Sequence, residues 1–241
     1  MEMSAPPPTP PQTAFPFSSF NQQFFGKPKR IMLWGDVGVG KSTIALQLAR
    51  SVLQQQQKVF FLYTKRPEMK DLINRILHGL SPKQTDHFLF WHAATFSEQT
   101  QIIFDWILQI QQLKQYFGKN RVGLIVIDEI SSLYLVEMGS EKKNEENNQR
   151  LHLQQAILSD FVEKYGIPVL MLNNFTTKKG DQDQIIETPY GGKITNYWTD
   201  LEIRISRTPQ SGRRELNLMK SSPGVQIPST WFWLLEQQGF I

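Results

Sequence analysis

The stretch Gly35-Asp36-Val37-Gly38-Val39-Gly40-Lys41-Ser42 constrains this chain more than any other. It fits G-x-x-x-x-G-K-[ST], a loop that leaves a buried strand and enters the first turn of a helix. Both flanks agree. The apolar run Ile31-Met32-Leu33-Trp34 precedes it, and STIALQLARSVLQ follows, rich in helix formers and free of Pro and Gly. Glycines let such a loop close around an anion, and the N–H groups at the helix start point at it. Gly35, Asp36, Val37, Gly38, Val39, Gly40, Lys41, Ser42 and Thr43 are therefore the candidate binders of a nucleotide's phosphates. Lys41 would neutralise the β- and γ-phosphates, and Ser42 would offer its hydroxyl to Mg²⁺.

The loop sits in a repeating alternation of short apolar runs and longer helical ones. The runs are 31–34, VFFLY (59–63), FLFW (88–91), GLIVID (123–128) and IPVLML (167–172). Short and continuous, they read as buried central strands of a mainly parallel sheet, which makes the fold class α/β. Between them Ile102, Ile103, Trp106, Ile107, Ile110 and Leu113 fall at helical spacing, as do Leu153, Ala156, Ile157 and Phe161, and both sets read as core-facing helix stripes. After residue 198 the pattern turns to alternation: Leu201, Ile203 and Ile205, then TPQSG, then Leu216 and Leu218. An antiparallel hairpin at the sheet edge is expected there.

At the other end, residues 4–12 hold five prolines in nine positions, so residues 1–15 read as a disordered tail and 16–241 as one core. Phe15, Phe17, Phe20, Phe24 and Phe25 follow the tail. They either cover the edge of the core or, through Phe17 or Phe20, dock on a neighbouring protomer.

Composition excludes several chemistries. Cysteine is absent, which removes disulfides, thiolate metal sites and cysteine nucleophiles. The four histidines, His78, His87, His92 and His152, show no spacing that suits zinc. No apolar, uncharged run approaches the roughly 18 residues of a membrane span. A cytoplasmic protein without membrane attachment is the expectation. A net charge of +4 permits nucleic-acid binding but does not require it.

A triphosphate site needs an acidic residue at the end of a second buried strand to hold the Mg²⁺ through its water shell. Leu124-Ile125-Val126-Ile127-Asp128 supplies it, 87 residues after Lys41. Glu129 follows directly. It reads either as the residue that orients the attacking water or as a solvent-facing helix start.

The order of these motifs resembles the RecA family of recombinase ATPases, most closely the archaeal RadB branch of RadA-like proteins. SFNQQFFG (19–26) resembles the short helix that opens the family's ATPase core. LIVIDEISSLYLVE (124–137) resembles its acidic strand and following segment, and IPVLMLNNF (167–175) the strand leading into its second DNA-binding loop. Gly191-Gly192-Lys193, NYWTDLEIRISR, RRELNLMKSSP and the stretch Trp231–Phe240 follow the order of its C-terminal half. The resemblance covers roughly residues 19–241 and implies a RecA-like core that binds ATP and Mg²⁺.

Two departures bear on turnover. Where the family carries a glutamate at the end of the second strand, this chain reads Phe61-Leu62-Tyr63-Thr64-Lys65, with Glu68 three residues on as a possible substitute. Where the family has Asn-Gln before the second loop, this chain has Asn173-Asn174. The resemblance thus makes Lys41, Glu129 and Glu68 the catalytic candidates and implies slow hydrolysis.

The same resemblance faces two loops toward DNA. The first, around 138–149, is balanced in charge. The second, 175–193, offers Lys178, Lys179 and Lys193, with Phe175 and Tyr190 for stacking on single strands; a plain solvated loop is the other reading. Arg204, Arg207, Arg213 and Arg214 around the hairpin form a third basic group, which reads as a partner surface, a DNA contact or only a protected sheet edge. Lys220, Ser222 and Pro223 match the segment that caps a nucleotide held by an adjacent protomer, which implies a homo-oligomer; a surface lysine at a strand end is the alternative. Together these readings predict an accessory to a main recombinase or other repair protein, acting with single-stranded DNA without sequence preference. Two rivals stand beside it: a nucleotide-gated binding module with negligible hydrolysis, and a KaiC-like or helicase-loader-type ATPase with a protein client.

Overall fold

Each apolar run forms a strand, and each helical stripe packs on one side of the sheet those strands make. The computed structural model describes residues 17–26, 29–65, 69–117, 122–179, 185–223, 226–237 and 239–241. The expected tail (1–15) and Glu68 lie outside them. The elements run α1 (Phe17–Gly26), β1 (Arg30–Gly35), α2 (Lys41–Gln54), β2 (Lys58–Tyr63), α3 (Lys70–Leu77), α4 (Pro82–Thr85), β3 (Phe88–His92), α5 (Phe96–Phe117), β4 (Val122–Asp128), α6 (Ser132–Val136) and α7 (Glu141–Tyr165). They continue with β5 (Val169–Asn173), β6 (Phe175–Lys179), β7 (Ile185–Pro189), α8 (Gly192–Trp198), β8 (Leu201–Arg207), β9 (Arg213–Lys220), β10 (Thr230–Glu236) and β11 (Gly239–Phe240).

The main sheet has the order β11-β10-β9-β8-β1-β5-β4-β2-β3, and β6 and β7 form a separate antiparallel pair. From β3 to β8 all neighbours are parallel, while β8, β9, β10 and β11 pair antiparallel. The expected hairpin is β8–β9, and β10 and β11 carry the sheet two strands further. Alternation along β1 divides the core. Ile31 and Leu33 join α2, α3, Trp231 and Trp233 on one face, and Met32 and Trp34 join α5 and α7 on the other.

Three expectations change. FLFW is not a central strand: β3 is the sheet edge, and Phe90 is 41 % exposed. A continuous apolar run does not distinguish a central strand from an edge strand whose rings cover its neighbours, and Phe90 lies against Phe61 and Tyr63. Leu153 points to solvent, and α7 buries Leu151, Ile157, Leu158 and Phe161 instead. The supposed first loop is mostly helix. Ser140 caps α7, its side chain accepting from the Lys143 N–H, and the Glu, Lys and Gln residues that follow are good helix formers.

Phe17 and Phe20 resolve in favour of the core edge. Each ring centroid lies 5.2 Å from that of Trp233 in the same chain.

Candidate functional site: a crevice at the strand ends

Four parallel strands end at one crevice, where ligands of open parallel sheets bind. β1 delivers the glycine-rich loop, β2 delivers Thr64 and Lys65, β4 delivers Asp128 and Glu129, and β5 delivers Asn173 and Asn174.

The loop is shaped from behind. A Cβ on Gly35 would stand 2.0 Å from the Ile205 carbonyl oxygen, and one on Gly40 would stand 2.6 Å from the Phe240 ring. Gly40 adopts φ 109° as the N-cap of α2, a conformation that favours glycine. Arg207 Nη2 donates to the Val37 carbonyl (2.8 Å) and Arg214 Nε to the Val39 carbonyl (3.0 Å). Two of the loop's glycines are therefore required by the C-terminal strands as well as by any phosphate. Carbonyls pulled outward leave the N–H side of the loop for an anion.

Lys41 is buried, and its ammonium donates to the carbonyls of Gly35 (2.7 Å) and Asp36 (2.8 Å) and to Asn174 Oδ1 (2.9 Å). Burial lowers its pKa from the usual lysine range to about 8, against the pull of Glu129. Ser42 Oγ donates to Asp128 Oδ2 at 2.5 Å. A hydroxyl and a buried carboxylate oxygen side by side are hard oxygen donors of the kind Mg²⁺ takes, so the residues present fit that ion.

The opposite wall is assembled from distant segments. Lys65 Nζ lies 2.9 Å from Asp128 Oδ1 and 2.8 Å from Glu129 Oε1. Burial works against the Lys65 charge, but the two carboxylates outweigh it and hold its pKa above the ordinary value. Glu129 is only 3 % exposed, which excludes the solvent-facing reading. Its Oε2 accepts from Asn174 Nδ2 (2.8 Å), and its backbone N–H donates to Thr64 Oγ1 (2.8 Å). Asn174 therefore touches both walls, through Lys41 on one side and Glu129 on the other.

The remaining candidates scatter. Lys178 and Lys193 line a groove of about 590 Å³ with Trp34, Tyr197 and Met219, beside the β6–β7 pair. Lys179 is exposed on β6. Phe175 packs on Trp34, centroids 6.0 Å apart, and so belongs to the core margin rather than to a stacking platform. Tyr190 joins the site through its backbone, where its carbonyl accepts from Asn173 Nδ2 (2.8 Å). Arg204 pairs with Glu187, which removes one acidic charge from the lysine-bearing segment.

Lys220, paired with Glu202 near the start of β8, stands at the end of the sheet away from the loop. Its ammonium donates to the Asn196 carbonyl, and Ser222 Oγ donates to the Asp200 carbonyl. Pro223 is exposed in the turn that follows. None of the three reaches Lys41 of its own chain. Sequence reasoning missed Thr64, and it left the partners of Arg207 and Arg214 open. These roles depend on which strand ends become neighbours.

A glycine-rich loop on a central parallel strand, facing an acidic strand end, defines a nucleotide-binding α/β core of the RecA-like type. The AAA domain family matches residues 20–178, and the chain belongs to that family and is similar to proteins of the RadB type. It is 25 % identical over 190 residues to the DNA repair and recombination protein RadB of Methanobrevibacter smithii, covering 78 % of this chain and 77 % of that one. The protein of the same name from Methanosphaera stadtmanae is 26 % identical over 209 residues, 85 % and 82 % of the two chains. That of Methanococcus maripaludis is 28 % identical over 205 residues, 85 % and 87 %.

Proposed function

We propose that the chain binds ATP with Mg²⁺, turns it over slowly, and serves DNA recombination and repair as an accessory to a main recombinase. The observation that carries the nucleotide reading is the meeting of Lys41, Ser42 and Asp128 in one crevice. The names of the RadB relatives support the setting in recombination and repair. Ser42 and Asp128 would hold the Mg²⁺, which when bound neutralises charge on the phosphate oxygens. Lys41 and the loop N–H groups orient the triphosphate.

Slow turnover follows from Lys65. Hydrolysis needs a water in line with the γ-phosphorus and a group that accepts its proton as the bond to the β-phosphate breaks. Glu129 is the candidate for that work, but its Oε1 is held by an ammonium and its Oε2 by an amide. A carboxylate so engaged has neither oxygen free to orient the water. The same contact favours the second reading, a nucleotide-gated module whose ATP state is read by a partner. Lys178, Lys179 and Lys193 would bind single-stranded DNA through its backbone, without sequence preference.

Two measurements on one protein set test this reading. ATP·Mg²⁺ should raise the melting temperature of the parent and leave Lys41→Ala unchanged; equal stabilisation of both removes the loop assignment. Steady-state turnover of the parent with single-stranded DNA should lie well below about 1 s⁻¹ and rise in Lys65→Glu. A fast parent that collapses in Glu129→Gln abolishes the slow-turnover reading.

A further inference from the structure

Lys65 stands where two buried carboxylates need a cation. Asp128 is fully buried and Glu129 nearly so, and each has one oxygen already engaged, Asp128 Oδ2 by Ser42 and Glu129 Oε2 by Asn174. Lys65 takes the other oxygen of both. Lys41 Nζ lies 4.0 Å from the same Glu129 Oε1, so two ammonium groups flank one carboxylate oxygen. The Lys65 backbone is anchored as well, its carbonyl 2.8 Å from His92 Nε2 on the edge strand β3. The side chain is a third exposed, and its flexible stem leaves the ammonium free to turn toward the crevice.

Charge decides what this arrangement favours. With Lys41, Asp128 and Glu129 alone the crevice would carry a net negative charge and repel a triphosphate unless a divalent cation came with it. Lys65 brings it to neutrality. Of the two ammonium groups, Lys41 belongs to the glycine-rich loop, and Lys65 lies beyond the shared carboxylate, on the opposite wall.

We propose that Lys65 is a built-in counter-cation of the crevice: it holds Asp128 and Glu129 while no nucleotide is present and, without releasing Glu129, pairs with the terminal phosphate of a bound nucleoside triphosphate. Triphosphate recognition then persists without a divalent cation, and the preference for triphosphate over diphosphate resides in Lys65. This inference rests on the nucleotide-binding reading above.

The test is equilibrium affinity for ATP and ADP, by calorimetry, in Mg²⁺ and in EDTA, for the parent, Lys65→Met and Lys65→Arg. The parent should keep ATP binding in EDTA and bind it more tightly than ADP. Lys65→Met should lose about tenfold or more of its ATP affinity in EDTA and little in Mg²⁺, with ADP unchanged, the scale expected of one charge-assisted contact. Lys65→Arg retains the charge and should retain ATP binding in EDTA, which separates the role from folding should Lys65→Met be unstable. Equal losses for ATP and ADP, or no change in EDTA, overturns the proposal, as does a Lys65→Arg protein that folds but binds like Lys65→Met. A parent that binds ATP only with Mg²⁺ also overturns it while sparing the nucleotide reading. A parent that binds neither nucleotide in either buffer removes that reading itself.

Discussion

The two walls of the crevice are built in opposite ways. The phosphate-loop wall is contiguous in sequence, since Gly35 to Thr43 run from one strand into one helix, and its lysine is tied to carbonyls five and six residues away. The carboxylate wall draws Lys65, Asp128 and Asn174 from three strand ends far apart in the chain. A contiguous wall can be recognised as a pattern, because its local geometry admits few sequences. An assembled wall can change its chemistry by one substitution at a strand end, without rebuilding a local motif. The contiguous wall still depends on tertiary support: Ile205, Arg207, Arg214 and Phe240 press on it from the C-terminal strands.

The largest effect should come from the point where local and tertiary demands coincide. Gly35→Ala places a methyl group against the Ile205 backbone and should destabilise the protein by about 3 kcal/mol, read by urea unfolding. A variant as stable as the parent would mean that the loop is independent of the C-terminal strands and the contrast between walls is stronger than described.

A smaller effect belongs to the foot of the same strands, away from the crevice. Arg30 at the start of β1 makes a two-pronged ion pair with Asp200 just before β8, Nη2 to Oδ1 at 2.7 Å and Nε to Oδ2 at 2.9 Å. Burial pushes the Asp200 carboxyl up, but the Arg30 hydrogen bonds and charge reverse this and hold it below the usual carboxylate range. The stability the pair supplies is therefore complete above the unfolded value of about 4 and is lost as pH falls through the depressed folded value. Asp200→Asn should cost about 2 kcal/mol at neutral pH. The gap to the parent should close in acid, and ATP affinity should not change. Loss of ATP affinity at neutral pH would show that the foot of β1 and the crevice are coupled.

The smallest effect concerns the β6–β7 pair, joined to the assembled wall through Asn173 and Tyr190. Replacing Lys178 and Lys179 with alanine should lower the salt slope of single-strand DNA binding by about 1 per lysine lost. ATP affinity should stay as it was. An unchanged slope would place the DNA contact elsewhere.

The sequence by itself determined the contiguous parts. The strand run 31–34, the glycines, Lys41 and Ser42 form one local unit, and a buried strand ending in Asp128 is a short, recognisable phrase. The long helices followed from their apolar spacing, although Leu153 shows how one residue can fit a stripe and still face water. Only the tertiary structure decided that β3 is an edge, that Phe17 and Phe20 pack on Trp233 of the same chain, and that Arg207 and Arg214 brace the loop. It also decided what Lys65 means. In the sequence Lys65 marks a missing carboxylate; in the fold it is a cation paired to both Asp128 and Glu129. The physical reason is one of range. Backbone conformation and helical or strand periodicity act over a few residues and are written in adjacent letters, whereas charge pairing and packing act between whichever segments the sheet order places side by side.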